Sequence, residues 1–174
     1  MQKNWYAVYT KPHCELKVAA FFSKKKIDSY CPLNRVDFYY LGKRKTSLKP
    51  LFPSIVFVNI TGAQLPFVRQ AADVINCLYW LGKPAVIKEQ EVKALQYFTS
   101  AYNNVVTEKI AVNMSGLVRT VNEPVLKHEK ENGSLKELIN IKLYLPALGY
   151  MLIAEAQAAA ETYPYTYEGA KMVS

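Results

Sequence analysis

Apolar and polar positions change their period several times along the chain. Residues 4–10, "NWYAVYT", combine aromatic and β-branched side chains that suit a pleated surface and predict a strand. Over residues 13–27 the spacing becomes helical, with Cys14, Val18, Phe21 and Phe22 at i, i+4, i+7 and i+8 on one face. Lys17 and Lys24 lie at the edge of that face, and Lys24–Lys26 end the helix where cations complement its dipole. Residues 29–41 read as a strand, "GKRK" at 42–45 as a turn with three cations, and 46–60 as the returning partner. The result is a long hairpin with a basic tip. Its second half, "PLFPSIVFVNI", does not alternate as a half-buried strand would. Leu51, Pro53, Ile55 and Phe57 fall on one parity and Phe52, Val56 and Val58 on the other, so both faces must be covered.

Further on, residues 63–72 are partly helical after Pro66, and 74–81 form another strand, turned by "GKP" at 82–84. Residues 85–102 pass from a short strand into a helix with Val92, Leu95 and Phe98 on one side. The order β-α-β-β-α-β-α predicts an α+β domain over 1–102, an antiparallel sheet flanked by helices. Residues 103–115 read as a linker. A second unit follows at 116–156, where Asn132–Gly133 is a hairpin signal. Leu135, Ile139, Ile141, Leu143 and Leu145 alternate there with Lys136, Asn140, Lys142 and Tyr144. Four short strands in so little chain predict a small β-barrel, and 157–174 reads as a tail. No internal repeat stands out.

Composition narrows the function. The chain has 174 residues, 51% of them apolar, which allows one ordinary domain or two small ones. It contains no apolar run long enough to span a membrane and no signal-peptide pattern at its start, so a cytoplasmic protein without membrane contact is the simplest reading. Cys14, Cys31 and Cys77 are odd in number and widely spaced, and His13 beside Cys14 is the single His–Cys neighbour. That pattern argues for reduced thiols and against a metal site. Charge is uneven. Residues 1–50 hold eleven Lys and Arg against three Asp and Glu, whereas the remainder holds eleven of each. The whole excess of +8 therefore lies in the first fifty residues, which suggests a polyanionic partner, most often nucleic acid.

Catalytic patterns are lacking. The chain has no glycine-rich phosphate loop, GxSxG or HExxH. Glu89, Glu91 and Glu108 read as a solvated helix face. A binding protein that needs no cofactor is favoured over an enzyme.

Four stretches in order, "WYAVYTKP" with "KVA", then "YCP", then "KPLFPSIVFV", then "GKPAVIKEQEVKAL", resemble the N-terminal domain of NusG-type transcription elongation factors. The likeness covers residues 5 to about 100 and is nearest to specialised RfaH-like paralogues of the UpxY type. The second unit is similar to the family's KOW barrel in outline, with Gly116 and the "LGYMLIAE" end in place and "NEPVLKHEKENGS" standing where a glycine-rich stretch is usual. The resemblance implies a transcription elongation and antitermination factor that suppresses pausing or termination, on a specific operon such as a polysaccharide locus. It implies a monomer whose apolar cavity receives the clamp helices of RNA polymerase's largest subunit. The matching positions are Tyr9, Phe52, Pro53, Ile55, Phe57, Val92 and Leu95. Phe52 fits core and interface equally; for Ile55 and Phe57 interface is favoured.

Lys11 and Lys17 occupy places where RfaH-like proteins touch DNA, and Lys24, Lys43, Arg44 and Lys45 extend the basic set toward the non-template DNA strand or nascent RNA. Phe21, Ala71–Ala72 and Gln64–Leu65–Pro66 depart from RfaH-like contact positions, which implies a different recruiting element. Two rivals are a general RNA-binding protein using the basic face with Tyr39 and Tyr40, and a catalyst built on His13 or His128 beside a carboxylate. The period-two pattern of 134–145 favours strands over a masking helix, so the polymerase face is expected to be open.

Overall fold

The computed structural model describes residues 2–112, 118–120 and 138–157. Its elements begin with β1 (Asn4–Thr10), α1 (Glu15–Lys24), β2 (Asp28–Tyr30), β3 (Leu33–Tyr40), β4 (Lys43–Pro50) and β5 (Ile55–Ile60). A 3-10 turn and α2 (Leu65–Arg69) lead to β6 (Val74–Cys77), β7 (Tyr79–Trp80), β8 (Lys83–Pro84), β9 (Val86–Ile87) and α3 (Glu89–Ala101). Four strands follow: β10 (Val106–Val112), β11 (Val118–Thr120), β12 (Leu138–Leu145) and β13 (Tyr150–Gln157).

The central sheet runs β2-β5-β1-β6, with β9 continuing along β1 beyond β6. β5 pairs antiparallel with β1, placing Ile55 opposite Tyr9 and Ile60 opposite Asn4. Both faces are covered, as the unbroken apolar run of β5 requires. On one face Tyr6, Val8, Val58 and Ile60 meet Val18 and Phe22 of α1 and Val68 of α2. On the other, Trp5, Ala7, Ile55 and Phe57 meet Val92, Leu95 and Phe98 of α3. Residues 2–101 thus form the α+β arrangement of antiparallel sheet and helices that the sequence predicts.

The C-terminal strands make a second sheet in the order β11-β10-β13-β12. Among the described residues it does not close into the expected barrel. β10 also corrects the linker expectation for 103–115 in part: Val106–Ile153 through Lys109–Tyr150 pair in register, so Val106–Val112 is a sheet strand. The turn expected at Asn132–Gly133 and the tail from 158 onward lie outside the described residues.

The two units share one core. Leu143 opposes Leu152 and Leu145 opposes Tyr150 across β12 and β13. Directly opposed residues share a sheet face. That face carries Leu143, Leu145, Leu152 and Ala154 into the cluster that holds Phe52, Phe57, Val92 and Leu95. The opposite face keeps a smaller cluster of Ile110, Met151 and Ile153. A strand pair therefore covers the apolar face that was expected to be open. The physical reason is that its apolar parity has no partner within its own sheet, and α3 presents a matching surface.

Candidate functional site

Phe52, Ile55, Phe57, Val92 and Leu95 converge in that shared cluster, and each is buried. The turn between β4 and β5 sets the position of Phe52. Ser54 has a φ of 61° there, a left-handed conformation rare for a residue with a Cβ. Glu15, buried at the start of α1, holds the strained turn by accepting the Ser54 N–H at Oε1 over 2.7 Å. The Thr10 N–H also donates to the Ser54 carbonyl at 2.9 Å. Phe52 is then fixed against Phe57, with ring centroids 6.2 Å apart, and against Tyr150 of the C-terminal sheet at 5.0 Å. Tyr9 sits half-exposed at the rim, its hydroxyl pKa raised by burial and by Tyr150. Pro53 is exposed and outside the cluster.

Burial of Ile55 and Phe57 has two parts. Trp5, Ala7, Ile87 and α3 belong to the N-terminal domain, whereas Leu143, Leu145, Leu152 and Ala154 belong to the covering sheet. Phe57 is thus part of the domain's own core as well as of the covered face, and a charge placed there would break both.

Glu91 corrects the solvated-face expectation. Glu89 is exposed and pairs with Lys93 at 2.8 Å, whereas Glu91 is buried under the β12–β13 turn. Its Oε1 accepts the Ala147 N–H at 3.5 Å, and its Oε2 has no hydrogen-bond partner. Burial is the main cause of the raised pKa of this carboxyl. Burial, aided by Glu15, likewise pushes the Cys31 thiol up to about 11, which keeps it in the unreactive thiol form.

The basic residues divide into separate groups. Lys11 and Lys17 both reach Asp73, at 3.2 and 2.6 Å. Asp73 has a φ of 68°, and its carbonyl accepts the Lys11 N–H at 2.9 Å. Hydrogen bonds from Lys17 and then Lys11 hold its carboxyl below the usual range. Lys24 lies exposed in the last turn of α1. Lys43, Arg44 and Lys45 lie at the start of β4, beyond a two-residue turn at Leu41–Gly42. Arg44 is held by Asp37 at 2.7 Å, while the Lys45 ammonium stands 4.5 Å from the Tyr40 ring centroid.

The structure builds that tip twice. "YYLGK" at 39–43 and "YWLGK" at 79–83 are near-copies that the sequence reading passed over. In each, the leucine (φ 49°) and the glycine (φ 72° or 75°) take positive φ, as a type I′ hairpin turn demands. Leu41 and Leu81 are 86% and 82% exposed. The readable signal was the repeated Leu-Gly-Lys after two aromatic residues.

The family model described as "Transcription termination factor nusG" matches residues 3–96. The chain belongs to the NusG family, whose members are transcription factors that bind RNA polymerase and nucleic acid. A solved structure it resembles is described as "Domain interaction in Thermotoga maritima NusG". The TM-score is 0.52 at 16% identity, over 90% of this chain and 94% of that one. No curated protein matches the chain in sequence.

Proposed function

We propose that the chain is an elongation and antitermination factor that grips the clamp helices of RNA polymerase with the face now under β12 and β13. The observation that carries this reading is the shared cluster itself. Phe52, Ile55, Val92 and Leu95 form a continuous apolar face whose remaining cover is a strand pair from the far end of the chain. Such a face, once uncovered, has the character of an interaction site. Tyr9 and Pro53 border it and are already accessible. The polymerase tip and the C-terminal sheet compete for one surface, so polymerase binding requires the sheet to leave. The displaced sheet, with residues 116–156, forms a divergent KOW-like barrel. Bound to polymerase, the protein suppresses pausing by holding the enzyme's active state more tightly than its paused state, and its effect cannot exceed that difference in affinity. The basic N-terminal half reaches the non-template strand or the transcript. Specialisation to one operon, such as a polysaccharide locus, accords with the altered DNA-contact positions Phe21 and Ala71–Ala72.

The test is a Leu145→Asp variant of the full chain. Leu145 is fully buried against the N-terminal domain, so a carboxylate there expels β12 and leaves residues 1–101 intact. Binding to a clamp-helices peptide, read by calorimetry, should tighten at least tenfold over wild type. Unchanged or weaker binding by a variant whose N-terminal domain remains folded would sink the proposal.

A further inference from the structure

One face of the β3–β4 hairpin combines aromatic rings and lysines in a way that the basic tip alone does not describe. Alternate residues of a strand share a face, and directly opposed residues of an antiparallel pair share it too. The register places Phe38 opposite Lys45 and Tyr40 opposite Lys43. Phe38, Tyr40, Lys43 and Lys45 therefore lie on one side. Phe38 is 42% and Tyr40 55% exposed, and both lysines are exposed. On the other side Arg44 is engaged by Asp37, which also accepts from the Thr46 hydroxyl at 2.5 Å. On that side the tip's arginine is neutralised by Asp37; the other side presents two rings flanked by two cations.

We infer that the Phe38–Tyr40–Lys43–Lys45 face is a stacking platform for single-stranded nucleic acid, with bases on the rings and phosphates at the lysines. The inference rests on the nucleic-acid reading above and names the rings and cations that would hold a single strand. Duplex bases are already stacked on one another and cannot lie on the rings, whereas unpaired bases of any sequence can. Charge complementarity favours a polyanion, since the whole net positive charge lies within the first fifty residues. The Lys45 ammonium over Tyr40 shows that this ring accepts a cation on its face. A base stacking on that face takes the ammonium's place, and the freed Lys45 then lies within a side chain's reach of the adjacent phosphate. The second tip has Trp80 opposite Lys83 and only that one cation across its two-pair ladder, so the site is assigned to the first hairpin alone.

The experiment measures fluorescence anisotropy of the full chain with a labelled twenty-nucleotide DNA of mixed sequence, the same sequence as RNA, and the DNA duplex. Single strands should bind more tightly than duplex. Phe38→Ala with Tyr40→Ala should weaken single-strand binding on the order of tenfold or more and leave duplex binding unchanged. Tyr40→Phe should retain affinity, because the π-face survives, and Tyr40→Leu should not. Arg44→Ala should change single-strand binding less than Lys45→Ala. Tighter binding to DNA or to RNA identifies the displaced strand or the transcript as the source, and either supports the platform. Equal loss on single strand and duplex, no loss in the alanine variant, or competition by polyglutamate as effective as by single strand would overturn it. Because the polymerase test uses a peptide and no nucleic acid, failure here leaves that reading standing.

Discussion

The two faces of the central sheet are sealed by different means. Against the first lie α1 and α2, which follow and flank their strands closely in sequence. Val8, Val58 and Ile60 meet Val18, Phe22 and Val68 there, and all six are almost wholly buried. Against the second, α3 covers part, and Leu143, Leu145, Leu152 and Ala154 complete the seal from about ninety residues beyond β5. A local cover costs little loop-closure entropy and forms with the domain; a distant one closes a longer loop and can open as a unit. The first face is core. The second is closed by a distant strand pair, and the proposed competition between an internal sheet and an external partner needs that pair to act as a removable lid.

Breaking each seal should separate them. Phe22→Ala removes a fully buried ring from the permanent face, and should cost about 3–5 kcal/mol in a single transition of the whole N-terminal domain, read by denaturant unfolding. Leu145→Ala on the lid should cost about 2–5 kcal/mol. Its amide-exchange signature should differ, with protection lost across β10, β12 and β13 and retained in β1 and β5. Loss of protection in both sheets would mean that the lid is not a separate unit.

Tyr150→Ala tests the rim. It removes the ring that packs on Phe52, an aromatic contact worth about 0.5–1.5 kcal/mol beyond its buried area. The lid should open more often, and Phe52 should become accessible to a clamp-helices peptide beside the already exposed Tyr9. An unaltered exchange profile would show that the leucines alone hold the lid.

Glu91 gives the lid a pH dependence. Its pKa is raised in the covered state, chiefly by burial, so the covered state retains a proton that an uncovered carboxyl releases. The lid is therefore tightest when Glu91 is protonated and loosens as pH rises from the ordinary carboxylate range through the raised value. Glu91→Gln should remove that dependence and hold the lid closed at neutral pH. Opening free energies from amide exchange, corrected for intrinsic rates, will show whether it does; a glutamine variant with the wild-type slope would exclude Glu91 as the source.

The smallest stability effect is expected at Asp73. Its pairs with Lys11 and Lys17 are exposed on the lysine side, so Asp73→Asn should change stability little. Its effect on nucleic acid should be larger, because both lysines are released to phosphates. The salt dependence of binding should steepen by up to about two units of log–log slope. An unchanged slope would mean that neither lysine meets phosphate.

Local pattern determined much of this molecule. The unbroken apolar run of "SIVFV" required two covered faces. The i, i+4, i+7, i+8 spacing placed Val18 and Phe22 in the core, and the alternation at Ile141, Leu143 and Leu145 made β12 a strand with one apolar side. These signals are legible because side-chain period follows from backbone geometry alone. The basic tip was legible as composition, but its division was not. That Arg44 is spent on Asp37 while Lys43 and Lys45 share a face with Phe38 and Tyr40 depends on cross-strand register. Only tertiary structure decided what covers the second face, why Glu91 is buried rather than solvated, and that Lys11 and Lys17 meet at Asp73. Each joins residues more than fifty positions apart, and no period along a chain records which distant surface an apolar or charged side chain will meet.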